Sequence, residues 1–114
     1  MLHPLIAINS DVRFDEGRLR VRVPCDYVEA VAEVGGLPLI VPAVLAAGSL
    51  REHVARCDGF LFMGGDDYPP AWYGEAPHPE TRVLHVARAA ADRELMHAAL
   101  LRGLPILAIC GGHQ

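Results

Sequence analysis

Short apolar runs alternate with longer segments of helical spacing along this chain of 114 residues. Four apolar runs are bounded by glycine, proline or polar residues, which is typical of buried strands; they are residues 5–8, 37–42, 60–63 and 105–109. Three longer segments place apolar residues three or four positions apart, which predicts helices; they are residues 25–34, 50–57 and 84–102.

Residues at the ends of the helical segments support these boundaries. Gly35-Gly36 follows the first segment and Gly103 follows the third, as expected of glycines that end helices. Ser49 stands where a side-chain N-cap is expected before the second segment. The third segment is rich in alanine, and its predicted core-facing side carries Val86, Leu95, Ala98, Ala99 and Leu101.

Two further segments show no sustained period and are interpreted as loops. Residues 11–24 mix charges with Gly17, so we expect an exposed loop, although residues 19–23 alternate as a strand would. Residues 68–79 contain four prolines and predict a long loop. Its Trp72-Tyr73 pair fits two interpretations equally well, a lid over a pocket or a contact that holds the loop itself together.

The order of the elements predicts an α/β fold with a parallel sheet, because parallel neighbours need crossover connections and helices usually supply them. The strands lack polar alternation, as expected when helices cover both faces of the sheet. No linker divides the chain, so residues 1–114 are expected to belong to one domain. Sites in such sheets form at the carboxyl ends of strands, and three residue pairs lie there: Asn9-Ser10, Gly64-Gly65 and Cys110-Gly111.

Composition and charge narrow the possible functions. With 52% hydrophobic and 21% charged residues, the chain is expected to fold. A net charge of −4, with basic residues scattered among acidic ones, argues against nucleic-acid and membrane partners and favours a small-molecule substrate. Without a signal-peptide pattern or a membrane-spanning run, we expect a cytoplasmic protein. The three cysteines and six histidines lack metal-ligand spacing, so neither a disulfide framework nor a metal or other cofactor is expected.

The last residues carry the clearest chemical signal. Cys110 directly follows an apolar strand, with small residues two positions before it and two after it, at Ala108 and Gly112. This is the spacing of a nucleophile elbow, a sharp turn that exposes a Ser or Cys at the end of a strand. A helix is expected to begin behind the turn, and its N-terminus would stabilise the reactive thiolate. Cys25 and Cys57 are interpreted as structural cysteines.

Residues 105–114, Pro-Ile-Leu-Ala-Ile-Cys-Gly-Gly-His-Gln, resemble the elbow of class I glutamine amidotransferases, whose usual form is P-[IV]-[LF]-G-[IV]-C-x-G-x-Q. Further stretches resemble the gamma-glutamyl-gamma-aminobutyrate hydrolase branch of that superfamily. They are residues 27–31 and 35–38, residues 58–70 and residues 73–75, in the order of the family. The resemblance therefore covers nearly the whole chain.

The resemblance implies a flavodoxin-like three-layer fold, of which about four strands and three helices, ending at the elbow, lie in this chain. It also implies a Cys-His-Glu triad that cleaves a gamma-glutamyl amide through a thioester. Cys110 matches the nucleophile. Backbone N–H groups of Gly111 and of the Gly64-Gly65 loop would stabilise the oxyanion, and Gln114 matches a residue near the alpha-amino and carboxylate groups of the substrate.

The sequence departs from the family pattern at several positions. Ala108 replaces a usual glycine, and Gly111 stands where the branch often has arginine. Where the branch commonly has an Arg-Asp pair before the third helix, the chain offers Arg88-Ala89 or Asp92-Arg93, which leaves the substrate preference open. The family's His and Glu come from a segment far downstream of the elbow, so we expect residues 1–114 alone to be inactive.

Alternatives remain for the base and for the function. His113 would lie on the first helical turn after the elbow, pointing away from the substrate, and only its position in a loop recommends His78. The chain also fits a non-catalytic or truncated homologue that binds a metabolite or partner, or a thiol-reactive domain of a related elbow family. The resemblance is compatible with a homo-oligomer and with a synthase partner that receives ammonia.

Overall fold

A computed structural model of the protein describes residues 2–65, Trp72, Gly74 and residues 85–109. In chain order, the described part contains β1 (Leu5–Ile8), β2 (Asp11–Asp15), β3 (Arg18–Arg22), α1 (Cys25–Glu33), β4 (Leu37–Ile40), α2 (Ala47–Arg56), β5 (Gly59–Phe62), α3 (Val86–Arg102) and β6 (Ile106–Ala108). The four strands and three helices predicted from the apolar pattern are all present, with ends that differ by a few residues.

Four strands form a parallel sheet in the order β4-β1-β5-β6. Strand β1 pairs with β4 and β5, so that Ile8 lies opposite Ile40 on one side and Leu61 on the other. Strand β5 also pairs with β6, with Phe62 opposite Ala108. The carboxyl ends of all four strands therefore meet at one edge, and the chain order reverses beside β1, the arrangement in which open α/β sheets place their sites.

Successive residues of the inner strands alternate between two apolar layers, as the pleat requires. On one face, Phe60 and Phe62 stack with ring centroids 4.2 Å apart and pack in a buried cluster with residues of α2 and α3, among them Val54 and Leu95. On the other face, Leu61 packs with residues of α1. The fold is therefore a three-layer α/β arrangement, as the resemblance implies.

The expectation of a loop over residues 11–24 is wrong, although most of these residues are exposed as expected. The strand-like alternation at residues 19–23 corresponds to β3. Strands β2 and β3 form an antiparallel hairpin of five residue pairs, which closes at Glu16 and Gly17 with φ values of 48° and 76°. Alternation is present in both strands and puts apolar residues of the two strands opposite each other, as at Val12 and Val21. Charged residues occupy the other face of the hairpin, so the apolar residues of each strand are separated by charged ones and form no continuous apolar run.

Two predictions about the helices also need correction. Helix α2 begins at Ala47, so Ser49 lies inside the helix, and the cap residue Ala46 makes no side-chain bond. The first turn is instead closed by the N–H of Leu50, which donates to the carbonyl of Ala46 at 3.0 Å. Ser49 looked like a cap because the sequence pattern shows apolar spacing but not where the backbone turns.

The predicted inner face of α3 is only partly right. Leu95 and Ala99 are buried, whereas Val86 and Leu101 are 80% and 77% exposed. The inner face is completed by Arg88 and Asp92, each 2% exposed. Apolar spacing does not reveal such positions, because charged residues are rarely buried unless they are paired. Leu84 lies outside the described residues.

Two negative findings hold for the described part of the chain. No helix in it is both long and apolar enough to cross a bilayer. No group of three or more His, Cys, Asp or Glu side chains in it lies close enough together to hold a metal ion.

Candidate active site

Two polar residues at the end of β1 are completely buried. The Ser10 hydroxyl donates to the carbonyl of Val41 at 2.8 Å and accepts from the N–H of Ala43 at 2.8 Å, which fixes the turn after β4. The side chain of Asn9 instead reaches toward β5, where its Oδ1 accepts from the N–H of Met63 at 2.8 Å. The two side chains directly after β1 therefore hold the backbone that follows both neighbouring strands.

Arg88 of α3 binds the same segment after β5 through the backbone carbonyls of that segment. Its Nη2 donates to the carbonyl of Met63 at 3.0 Å and to that of Gly64 at 3.1 Å. Its Nε donates to Oδ2 of Asp92 at 3.2 Å, and Nη1 lies 3.5 Å from Oδ1 of Asp11. A buried guanidinium is stable only when its charge and its donors are matched, and two carboxylates and two carbonyls supply that match.

Asp92 closes the network. While its Oδ2 binds Arg88, its Oδ1 accepts from Nδ2 of Asn9 at 3.0 Å. Met63 is consequently held at its N–H by Asn9 and at its carbonyl by Arg88, and these two side chains are joined through Asp92. The network connects β1, β5 and α3 at the carboxyl edge of the sheet.

Gly65 lies against the guanidinium so closely that no side chain fits. A Cβ atom built on Gly65 would stand 2.9 Å from Cζ of Arg88 and 3.1 Å from its Nη2, and closer still to Nη1. Because Arg88 is buried and bonded on several sides, it cannot simply move away. The glycine is therefore required here for close approach.

The ends of β5 and β6 lie side by side. The N–H of Ile109 donates to the carbonyl of Phe62 at 2.9 Å, which extends the strand pairing one residue past β6. Ile109 directly precedes Cys110 in the sequence, and Phe62 directly precedes the segment held by Asn9 and Arg88. The backbone leading to the predicted nucleophile thus lies beside the backbone leading to the predicted oxyanion loop.

The structure describes only some of the predicted site residues. Gly64 and Gly65 lie at the strand ends as predicted, but Cys110, Gly111 and Gln114 lie outside the described residues. The two histidines considered as alternative bases, His78 and His113, also lie outside them, as does Tyr73. The roles assigned to all of these residues stay predictions.

Arg88 and Asp92 are the site residues that sequence reasoning missed. The sequence marks them only as positions where the chain departs from the Arg-Asp pair of the family, which gives them no role. A usable signal existed, because two opposite charges four residues apart form a pair on one helix face, and that face otherwise carries the buried Leu95 and Ala99.

Cys25 and Cys57 lie in different environments. Cys57 follows α2 at the opposite edge of the sheet and is fully buried, with its thiol donating to the carbonyl of Val54 at 3.4 Å. Burial raises the pKa of the Cys57 thiol, and the positive charge of Arg102 offsets only part of that increase. Cys25, at the start of α1, is exposed. Cys57 therefore matches the structural interpretation made from the sequence, whereas the exposed Cys25 does not fit a buried structural cysteine.

The parallel sheet with buried polar side chains at its carboxyl edge defines an α/β protein of the flavodoxin-like type. A family model described as Peptidase C26 matches residues 4–114. The chain belongs to that family.

Individual relatives agree with the family match. The chain is 34% identical over 93 residues to "Putative glutamine amidotransferase Rv2859c" of Mycobacterium tuberculosis, covering 81% of this chain and 30% of that protein. It is 29% identical over 99 residues to Protein NtpR of Enterococcus hirae, covering 87% and 41% of the two chains. It is 35% identical over 90 residues to the gamma-glutamyl-gamma-aminobutyrate hydrolase PuuD of Escherichia coli K12, covering 77% and 35%. The chain thus spans less than half the length of these relatives.

Proposed function

We propose that residues 1–114 form the front part of a cysteine-dependent hydrolase that cleaves a gamma-glutamyl amide bond, of the glutamine or gamma-glutamyl-gamma-aminobutyrate type. The observation that carries this proposal is the segment from Met63 to Gly65. Buried polar side chains hold it at the strand ends, next to the backbone that leads into Cys110. Family membership adds the class of reaction.

The proposed chemistry has two halves. The Cys110 thiolate adds to the gamma-carbonyl carbon, and the C–N bond then breaks as the leaving amine takes a proton from the catalytic histidine. Water next adds to the thioester, the C–S bond breaks, and glutamate and the free thiol are formed. In both halves the carbonyl oxygen becomes an oxyanion, to which the N–H groups of Gly111 and of the Gly64-Gly65 loop would donate.

The remaining parts of the site complete the proposal. Gln114 would contact the alpha-amino and carboxylate groups of the substrate. The histidine and glutamate of the triad would come from outside residues 1–114. We further propose a cytoplasmic enzyme acting on a small molecule. The proposed function is compatible with a homo-oligomer and with a complex in which a synthase uses the released ammonia.

Turnover by the full-length protein tests the proposal. We expect it to release glutamate from glutamine or gamma-glutamyl-gamma-aminobutyrate, and we expect Cys110→Ala to lower kcat by about 10⁴-fold or more, because the nucleophile is lost. Cys25→Ala is the matched control, since it removes an exposed thiol and should leave kcat unchanged. A folded wild-type protein that releases glutamate from neither compound would instead favour a non-catalytic homologue.

A further inference from the structure

Arg88 makes more hydrogen bonds than the neutralisation of its charge on α3 requires. Pairing with Asp92 four residues along α3 would already neutralise it. Arg88 also reaches across to β5 and binds two consecutive carbonyls, those of Met63 and Gly64. It therefore acts on the geometry of one short backbone segment.

That segment is fixed at three consecutive peptide groups. In the peptide group between Phe62 and Met63, the Phe62 carbonyl accepts from the N–H of Ile109, and the Met63 N–H donates to Oδ1 of Asn9. In the next two groups, the carbonyls of Met63 and Gly64 both accept from Arg88. No rotation of any of these groups is possible without breaking a bond to a buried or strand-paired partner.

The orientation of the carbonyls determines where the N–H groups point. In a planar trans peptide group, C=O and N–H point in opposite directions. Because Arg88 binds the carbonyls of Met63 and Gly64, the N–H groups of Gly64 and Gly65 are directed away from the guanidinium. The guanidinium from which these N–H groups are turned away is buried, whereas Gly65 itself is exposed.

We propose that Arg88 is a positioning residue that aims the backbone donors of the Gly64-Gly65 loop at the oxyanion formed during gamma-glutamyl transfer to Cys110. Asp92 holds the guanidinium at Nε and joins it to Asn9, which fixes the first peptide group of the same segment. This inference rests on the proposed function. Arg88 itself touches no reacting atom.

The test compares Arg88→Lys with Arg51→Lys in the full-length protein. Lysine keeps the positive charge but lacks the planar fork that binds two carbonyls and a carboxylate together. We expect kcat for gamma-glutamyl substrate to fall about 10²-fold, the loss typical of one misplaced oxyanion donor, with KM changed less than about threefold. Arg51 forms an exposed pair with Glu94 at 2.7 Å, and its substitution should change neither constant.

A second readout separates donor positioning from general damage to the site. Alkylation of Cys110 by iodoacetamide forms no oxyanion, so its rate in Arg88→Lys should stay within about twofold of wild type. An equal loss of alkylation and turnover would overturn the inference, and so would an unchanged kcat. If Arg88→Lys does not fold, Asp92→Asn applies the same test, because it keeps the size of the side chain while weakening the hold on Nε.

The two proposals fail in different ways. A folded wild-type protein without glutamate release refutes the proposed function, and the positioning role falls with it. A wild-type protein that is active, with Arg88→Lys and Asp92→Asn equally active, refutes the positioning role alone.

Discussion

At the scale of single residues, Gly65 is the glycine with the least room for a side chain in the described part of the chain. A methyl group there would meet the guanidinium of Arg88, which its bonds to carbonyls and carboxylates hold in place. Forcing extra volume into a packed site typically costs 1–3 kcal/mol. We therefore expect Gly65→Ala to lower the free energy of unfolding by about 1–3 kcal/mol in urea denaturation.

Gly48 provides the matched control for that substitution. It lies in the first turn of α2, and its nearest neighbour to an added Cβ is Nη2 of Arg51 at 3.8 Å, an ordinary contact. Alanine is favoured over glycine in helices, so Gly48→Ala should raise the free energy of unfolding by about 0.5 kcal/mol. Equal effects of the two substitutions would mean that the contact between Gly65 and Arg88 does not constrain the site.

The thiols of Cys25 and Cys57 should differ sharply in reactivity. Because burial raises the pKa of Cys57 above its ordinary value, its thiolate is scarcer, and reagents cannot reach it in the folded protein. Peptide mapping after iodoacetamide treatment should show alkylated Cys25 in native protein and alkylated Cys57 only after denaturation. Modification of both at similar rates in the folded state would contradict the buried position of Cys57.

The same pKa shift predicts the direction of a pH effect on stability. The folded state favours the neutral thiol of Cys57, so its contribution to the free energy of unfolding is fully present below the pKa of an unfolded cysteine, about 8.5. It is lost as the pH rises from there through the raised pKa of the folded state. Urea midpoints between pH 8 and 10 should therefore fall less steeply for Cys57→Ala than for wild type.

At the scale of elements, Arg102 joins the end of α3 to the end of α2. Its Nη1 donates to the carbonyls of Val54 and Cys57, which lie at the C-terminal end of α2, where helix carbonyls lack intrahelical partners. A cation is also favoured there by the helix dipole. We expect Arg102→Met to lower the free energy of unfolding by about 1.5 kcal/mol.

Arg51→Met is the comparison for Arg102→Met, because Arg51 also connects α2 and α3, through Glu94. The side chains of that ion pair are 57% and 30% exposed, so water screens their attraction and the pair should contribute only about 0.5 kcal/mol. If urea denaturation gives the two variants the same stability, the carbonyl contacts of Arg102 add nothing beyond an ordinary surface pair.

Elements were predictable where apolar residues alone decide the structure. The strand around Phe60 and the helix around Val31 follow directly from unbroken apolar spacing, and both are present. Of the hairpin, the sequence showed only the alternation at residues 19–23, because the charged face interrupts the apolar pattern. The pairing becomes visible only when β2 and β3 are placed together. Val86 was wrongly predicted on the core-facing side of α3, because helical spacing does not show how far along the helix the buried face extends.

At the scale of the whole molecule, the sheet brings together residues that are far apart in the sequence. Asn9 and Asp92 are separated by 83 positions and bond at 3.0 Å. The sequence allowed Asn9 and Gly64 to be placed at one edge, because parallel strands share the direction of their carboxyl ends. It could not indicate that Arg88 connects them, since this depends on how α3 packs over the sheet.

Covalent labelling tests most directly whether this edge holds a cysteine nucleophile. The full-length protein would be treated with a chloroketone analogue of glutamine and digested for peptide mapping by mass spectrometry. We predict one adduct, on Cys110, which a gamma-glutamyl substrate prevents and Cys110→Ala abolishes, with Cys25 and Cys57 unmodified at the same reagent concentration. A folded protein with no adduct on Cys110, or with equal labelling of Cys25, would contradict the assignment of Cys110 as the nucleophile.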